Sequence, residues 1–100
     1  MSDKRTVRDL SRIQGRVYVY LKDKRTGEQF LRAAQAEGFT FGDGAKPSDR
    51  HYSTVMAVNP DGTLHYVGAM GMEAFGAHYD GIVRVDFAEY MEGSEEFFVK

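Results

Sequence analysis

The strictest alternation in the chain runs through "RVYVYLK", where Val17, Val19 and Leu21 fall on one side and Tyr18 and Tyr20 on the other. A period of two in β-branched and aromatic residues predicts a strand with one face turned to a core. Ahead of it, residues 6–14 set Val7, Leu10 and Ile13 at three-residue spacing behind Thr6, which predicts a short helix capped by that threonine. Behind it, "DKRTGEQFLRAAQAEG" carries Phe30, Leu31 and Ala34 as an apolar stripe. Thr26 and Gln29 stand at capping-box spacing, and Gly38 sits where a left-handed residue would stop the helix after about three turns.

The pattern then shortens. Phe39 and Phe41 flank Thr40 as a brief strand, and "GDGAKPSDR" has turn chemistry throughout, with Asp43-Gly44 tolerating positive φ and Pro47 unable to donate to a ladder. Residues 53–58 and 63–67 predict a hairpin joined by Asn59-Pro60-Asp61-Gly62, a type I turn with a left-handed exit. Met72, Phe75 and Tyr79 have helical spacing, interrupted by Gly71 and Gly76, and predict a short or irregular helix. "IVRVDF" predicts a further strand with Val83 and Val85 on one face, Asp86 caps a single turn ended by Gly93, and "EEFFVK" predicts a terminal edge strand. The order of main elements is therefore β-α-β-β-β-α-β-α-β. Hairpins and short links predict an α+β fold: a mostly antiparallel sheet with one main helix packed on one face. A small curled sheet, partly closed around the helix, is the alternative.

Composition narrows the class. One hundred residues make a single domain, 1–100, with residues 1–5 as a flexible arm. The apolar fraction of 42% and charged fraction of 28% argue against disorder, and seven Phe with six Tyr supply a dense core despite the absence of Trp. Without cysteine, disulfides and thiolate-bound zinc or iron–sulfur clusters are excluded. The opening MSDKRTVRDL has charge but no apolar run, and nothing approaches the ~20 residues of a membrane span, so a cytoplasmic protein with no membrane partner is expected.

The net charge of −2 gives no global drive toward nucleic acid. It is unevenly spread, with a balance of +5 over residues 1–25 and −4 over residues 86–100. Two partner-facing surfaces, head-to-tail association, or termini lying side by side would each account for that polarity.

Candidate chemistry is sparse. The 42–50 turn lacks the glycine spacing of a phosphate loop, although Lys46 and Arg50 could bind an anion. The alternative function is a small-ligand or nucleotide binder, or an enzyme, that uses the Asp43–His51 loop with Lys46, Arg50 and His51 as ligand-binding residues. His51, His65 and His78 share no metal-ligand spacing, and no metal or other cofactor is implied. With no cysteine and no Gly-x-Ser-x-Gly elbow, no catalytic residue is assigned, and catalysis is the weaker reading. Tyr18 and Tyr20, beside Arg16, Lys22, Lys24 and Arg25, offer an aromatic face for single-stranded bases, which the acidic total does not favour. Met70, Met72 and Phe75 form an adaptable apolar segment suited to contacting another protein, or to filling the core.

"GEQFLRAAQAEGFTFGDGAKPS" followed by a strand pair ending "GTLHYVG" resembles small uncharacterised proteins of bacteriophages and mobile elements in Firmicutes. The matching positions are Phe30, Gly38, Phe39, Phe41, Gly44, Leu64, Tyr66 and Gly68, within residues 16–68. The resemblance implies a non-enzymatic interaction protein acting in the host cell, such as an anti-CRISPR-like inhibitor of host defence. It would act by binding and occlusion of a host or phage protein, alone or as a homodimer. It carries no catalytic residue.

Overall fold

The computed structural model describes residues 5–67 and 81–99. Met70, Met72, Phe75 and the expected helix around them lie outside the described residues.

The chain opens with α1 (Val7–Ser11), where the Thr6 hydroxyl accepts from the Asp9 amide as the spacing predicts. β1 (Arg16–Tyr20) leads into α2 (Lys24–Ala36), the main helix. Its cap is not Thr26. Asp23 takes that place, its carboxylate accepting from the Thr26 amide at 2.8 Å, because an aspartate in extended backbone three residues before a free N–H is among the best caps available. Thr26 sits buried inside the first turn. At the other end Gly38 adopts φ +86°, the left-handed stop.

β2 (Thr40–Phe41) is only two residues long, and a 3₁₀ turn (Pro47–Asp49) follows. β3 (Val55–Val58) and β4 (Thr63–Tyr66) form the hairpin, with the Gly62 amide bonded to the Asn59 carbonyl and Gly62 at φ +89°. β5 (Ile82–Asp86) runs straight into α3 (Phe87–Glu92), capped by Asp86 and ended by Gly93 at φ +88°. The expected terminal strand is reduced to one antiparallel bridge, Val85 to Phe98, with backbone bonds from Asp86 to Phe97 and from Val99 to Arg84.

The five strands lie in the order β2-β4-β3-β1-β5. The fold is α+β with one main helix, but the sheet is mixed rather than mostly antiparallel. β1–β3 and β3–β4 are antiparallel, whereas β1–β5 and β2–β4 are parallel. The tight 59–62 turn forces β3 and β4 antiparallel. The other three pairs each close across a long excursion, which leaves their direction unconstrained.

The core fills the face carrying Val17, Val19, Met56, Val58, Leu64 and Val85. Phe30, Leu31 and Ala34 of α2 pack onto it, and Phe30 meets Phe87 edge-on with centroids 5.1 Å apart. The larger of these side chains, Ala34 apart, each contribute about 1.5–3 kcal/mol by leaving water. The other face carries a smaller cluster of Tyr18, Val55 and Ala57.

The two ends of the described chain are tied together. The Arg5 guanidinium donates to the carbonyls of Tyr90, Gly93 and Ser94 and lies 5.3 Å from the Tyr90 ring and 5.2 Å from that of Phe97. Tyr90 returns a hydrogen bond from its hydroxyl to the Thr6 carbonyl at 2.8 Å. These bonds bring the ends side by side through backbone carbonyls and rings rather than through paired charges. Glu37, at the end of α2, separately anchors α1, its carboxylate accepting from the amides of Val7 and Arg8 at 2.8 Å each.

Candidate interaction surface

Loop 42–52 leaves the end of β2 as a closed turn. The Gly44 amide donates to the Phe41 carbonyl at 2.8 Å, the Phe41 amide donates to the Ala45 carbonyl at 2.9 Å, and Gly44 takes φ +89°. The Asp43 carboxylate accepts from the Ala45 amide at 3.1 Å, the Asx geometry that Asp-Gly turns favour. That amide first, and the Arg50 guanidinium next, hold the Asp43 carboxyl below its ordinary pKa. Further along, Pro47 is buried, the Ser48 amide donates to the Gln35 side chain at 2.9 Å, and Tyr52 lies on the helix at Gly27. The polar groups of the loop steer backbone.

Arg50 turns back over the loop. It pairs with Asp43 and its guanidinium carbon lies 5.0 Å from the centre of the Phe41 ring. Phe41 is also stacked on Tyr66, with centroids 5.3 Å apart and planes at 28°. Tyr66 in turn donates its hydroxyl to the His51 carbonyl. Phe41 is buried, while Tyr66 is 41% exposed, a large apolar surface for a strand residue. The result is a layered edge in which a guanidinium and a phenol both pack on a buried ring. Next to it, Arg8 covers Phe39 at 4.4 Å, so each phenylalanine of the "FTF" strand has an arginine across its face.

Of the residues singled out in the sequence, Arg50 and His51 meet in this edge, Arg50 by its side chain and His51 by its carbonyl. Lys46 is exposed at the start of the 3₁₀ turn, where its carbonyl accepts from Asp49, and no hydrogen bond or ion pair links its side chain to the other two. Tyr18 lies on the opposite face and is 7% exposed, leaving little ring surface for a base, and Tyr20 beside it is half-buried. In the sequence Tyr66 stands out only as one of the positions that carry the phage-protein resemblance. Its alternation with Leu64 places it on the helix side of β4, but its contact with a loop fifteen residues away has no local signal.

Other features are weaker. A cleft of about 250 Å³ between the start of α2 and α3 is lined by Lys22 and Arg25, but Asp23 and Glu92 share it, and Asp23 already occupies the helix amide. Among the described residues no group of three or more His, Cys, Asp or Glu side chains is placed to hold a metal ion, and no helix is long and apolar enough to cross a membrane.

No family model matches the chain, and no curated protein and no solved structure matches it.

Proposed function

We propose that this protein is a small non-enzymatic binder of the phage or mobile-element type, inhibiting a host or phage protein by covering part of its surface. The observation that carries the reading is the Tyr66–Phe41–Arg50 stack, which holds an exposed phenol and a guanidinium rigidly against one buried ring. Tyr and Arg supply a disproportionate share of interface energy, and side chains already held in place lose less entropy on docking. Lys46 and His51 are exposed on the same loop as Arg50, and the His51 carbonyl holds the Tyr66 hydroxyl. An anti-CRISPR-like role in the bacterial cytoplasm follows from the family resemblance and is part of the same proposal.

The test is affinity capture from bacterial lysate with the tagged wild type and a Tyr66→Ala/Arg50→Glu double variant, their folds compared by circular dichroism. One protein captured by the wild type and lost from the well-folded double variant supports the proposal. Equal capture by both, or capture of nothing, overturns it.

A further inference from the structure

On the sheet face opposite α2, the β3–β4 turn holds a chain of linked side chains that runs on from the turn itself, where the Asp61 carboxylate accepts from the Thr63 amide at 3.0 Å. The Thr63 hydroxyl donates to the Asp61 carboxylate at 2.6 Å. Having given its only proton to that carboxylate, the hydroxyl must accept from Asn59, so the amide nitrogen of Asn59 faces it at 3.0 Å. The same nitrogen lies 2.9 Å from Nδ1 of His65, which it therefore meets as donor. His65 is left carrying its N–H on Nε2. An exposed imidazole is thus oriented by three linked hydrogen bonds, and its own donor takes part in none of the hydrogen bonds of the described chain.

His65 stands at a cleft of about 190 Å³, whose described lining includes Arg16 and Asn59 and a floor of buried strand residues, among them Tyr18 and Ala57. Arg16 is exposed at the start of β1, and among the described residues its side chain makes no hydrogen bond or ion pair. Ala57 pairs with His65 on one side and with Tyr18 on the other, so β1 and β4 are two strand spacings apart, ~10 Å, and Arg16 starts two residues further along β1. An extended guanidinium stem covers about half of that diagonal, which leaves room for a small ion between the two side chains. A small anion between the two would receive a charge-assisted pair of bonds from Arg16 and one from Nε2–H of His65.

We infer that this cleft binds a small anionic ligand, a carboxylate or a phosphate monoester, through Arg16 and His65, with Asn59 as the residue that positions the imidazole. Its volume lies below the ~300 Å³ of sites for drug-sized ligands, which limits the occupant to a few heavy atoms around the anionic group. The site is independent of the Tyr66–Arg50 edge, which lies on the other face.

Inorganic phosphate and benzoate are titrated separately into the ¹⁵N-labelled protein at constant ionic strength, to about 10 mM, the range of weak single-site affinities. Saturable shifts centred on residues 16, 59 and 65 are expected with at least one anion. Phosphate alone assigns the phosphoryl class, benzoate alone the carboxylate class, and both together a general anion site. Arg16→Gln and His65→Gln are each expected to weaken binding about tenfold or more, as loss of one bond to a charged group does. Asn59→Ala weakens it less, and addition of the anion then restores a single Nε2–H form in the imidazole nitrogen spectrum. No saturable shift with either anion overturns the inference. So do shifts that survive His65→Gln unchanged, which would mean attraction to Arg16 alone.

Discussion

The α-carbon of Gly27 lies directly under the ring of Tyr52, so close that a Cβ there would sit 2.2 Å from Cγ of the tyrosine. Helix α2 thus spends its second-turn glycine on close approach, and the loop that forms the candidate surface is seated on the helix through that contact. Gly27→Ala gains up to about 1 kcal/mol in helix propensity but must displace the ring, at a cost of about 1–3 kcal/mol. Net destabilisation is expected in urea unfolding. In the Tyr52→Ala background the same substitution should become stabilising.

Arg5 acts as a bracket between the chain's two described ends. Its guanidinium serves three carbonyls at the end of α3 while lying against two rings, an arrangement that needs the planar fork. Arg5→Ala should cost about 1–2 kcal/mol, and Arg5→Lys most of that despite the retained charge. If Lys restores wild-type stability, charge rather than geometry does the work.

Tyr90 sets an alkaline limit. Burial raises its phenol above the ordinary 10.0. The folded pKa exceeds the unfolded one, so the contribution is complete below about pH 10 and is lost as pH rises through the folded value. Tyr90→Phe should remove that alkaline loss in pH-dependent melting, at a cost of about 1 kcal/mol near neutrality for the missing bond.

Three turn carboxylates set the acid limit. Asp23, Asp43 and Asp61 are each lowered, by the Thr26 amide, the Ala45 amide and the Thr63 hydroxyl respectively as the leading cause. With folded values below the unfolded one of about 3.9, their contribution is present above that pH and disappears as pH falls through the folded values. Melting temperature should therefore drop on acidification below about pH 4. Asp23→Asn keeps a capping oxygen, so it should leave neutral stability nearly unchanged while flattening the acid slope.

Asp43 also positions Arg50. Asp43→Ala, which leaves both Arg50 and Tyr66 in place, should lower partner capture without abolishing it, whereas Asp43→Asn should retain more. If neither changes capture, the guanidinium does not need its seat.

The features legible in the sequence are those whose causes are local. Gly38, Gly62 and Gly93 adopt the positive φ that their turn and cap positions require, and Asp86 caps α3 at the predicted spacing. The alternation of Val17, Val19 and Leu21 gives β1 its core face. The N-cap of α2 was misread because two templates overlap: Thr26–Gln29 has capping-box spacing, but Asp23 lies three residues ahead of the same threonine and wins its amide. Strand direction was not legible for β2 and β5, since nothing near Ile82 records that it will lie beside Arg16. The Phe41–Tyr66–Arg50 edge was half visible. Arg50 and His51 stand out as charge in a glycine turn, but the ring that organises them arrives from another strand.

The central position of β1 bears on how the molecule assembles during synthesis. Val17 pairs with Val58 on one flank and with Val83 on the other, so the second flank stays open while the long helix and the hairpin emerge from the ribosome. Nascent chains would carry that bare ladder through most of translation, and distant parallel pairing is slow to form. The chain is thus most open to mispairing in the interval between completion of the hairpin and arrival of β5.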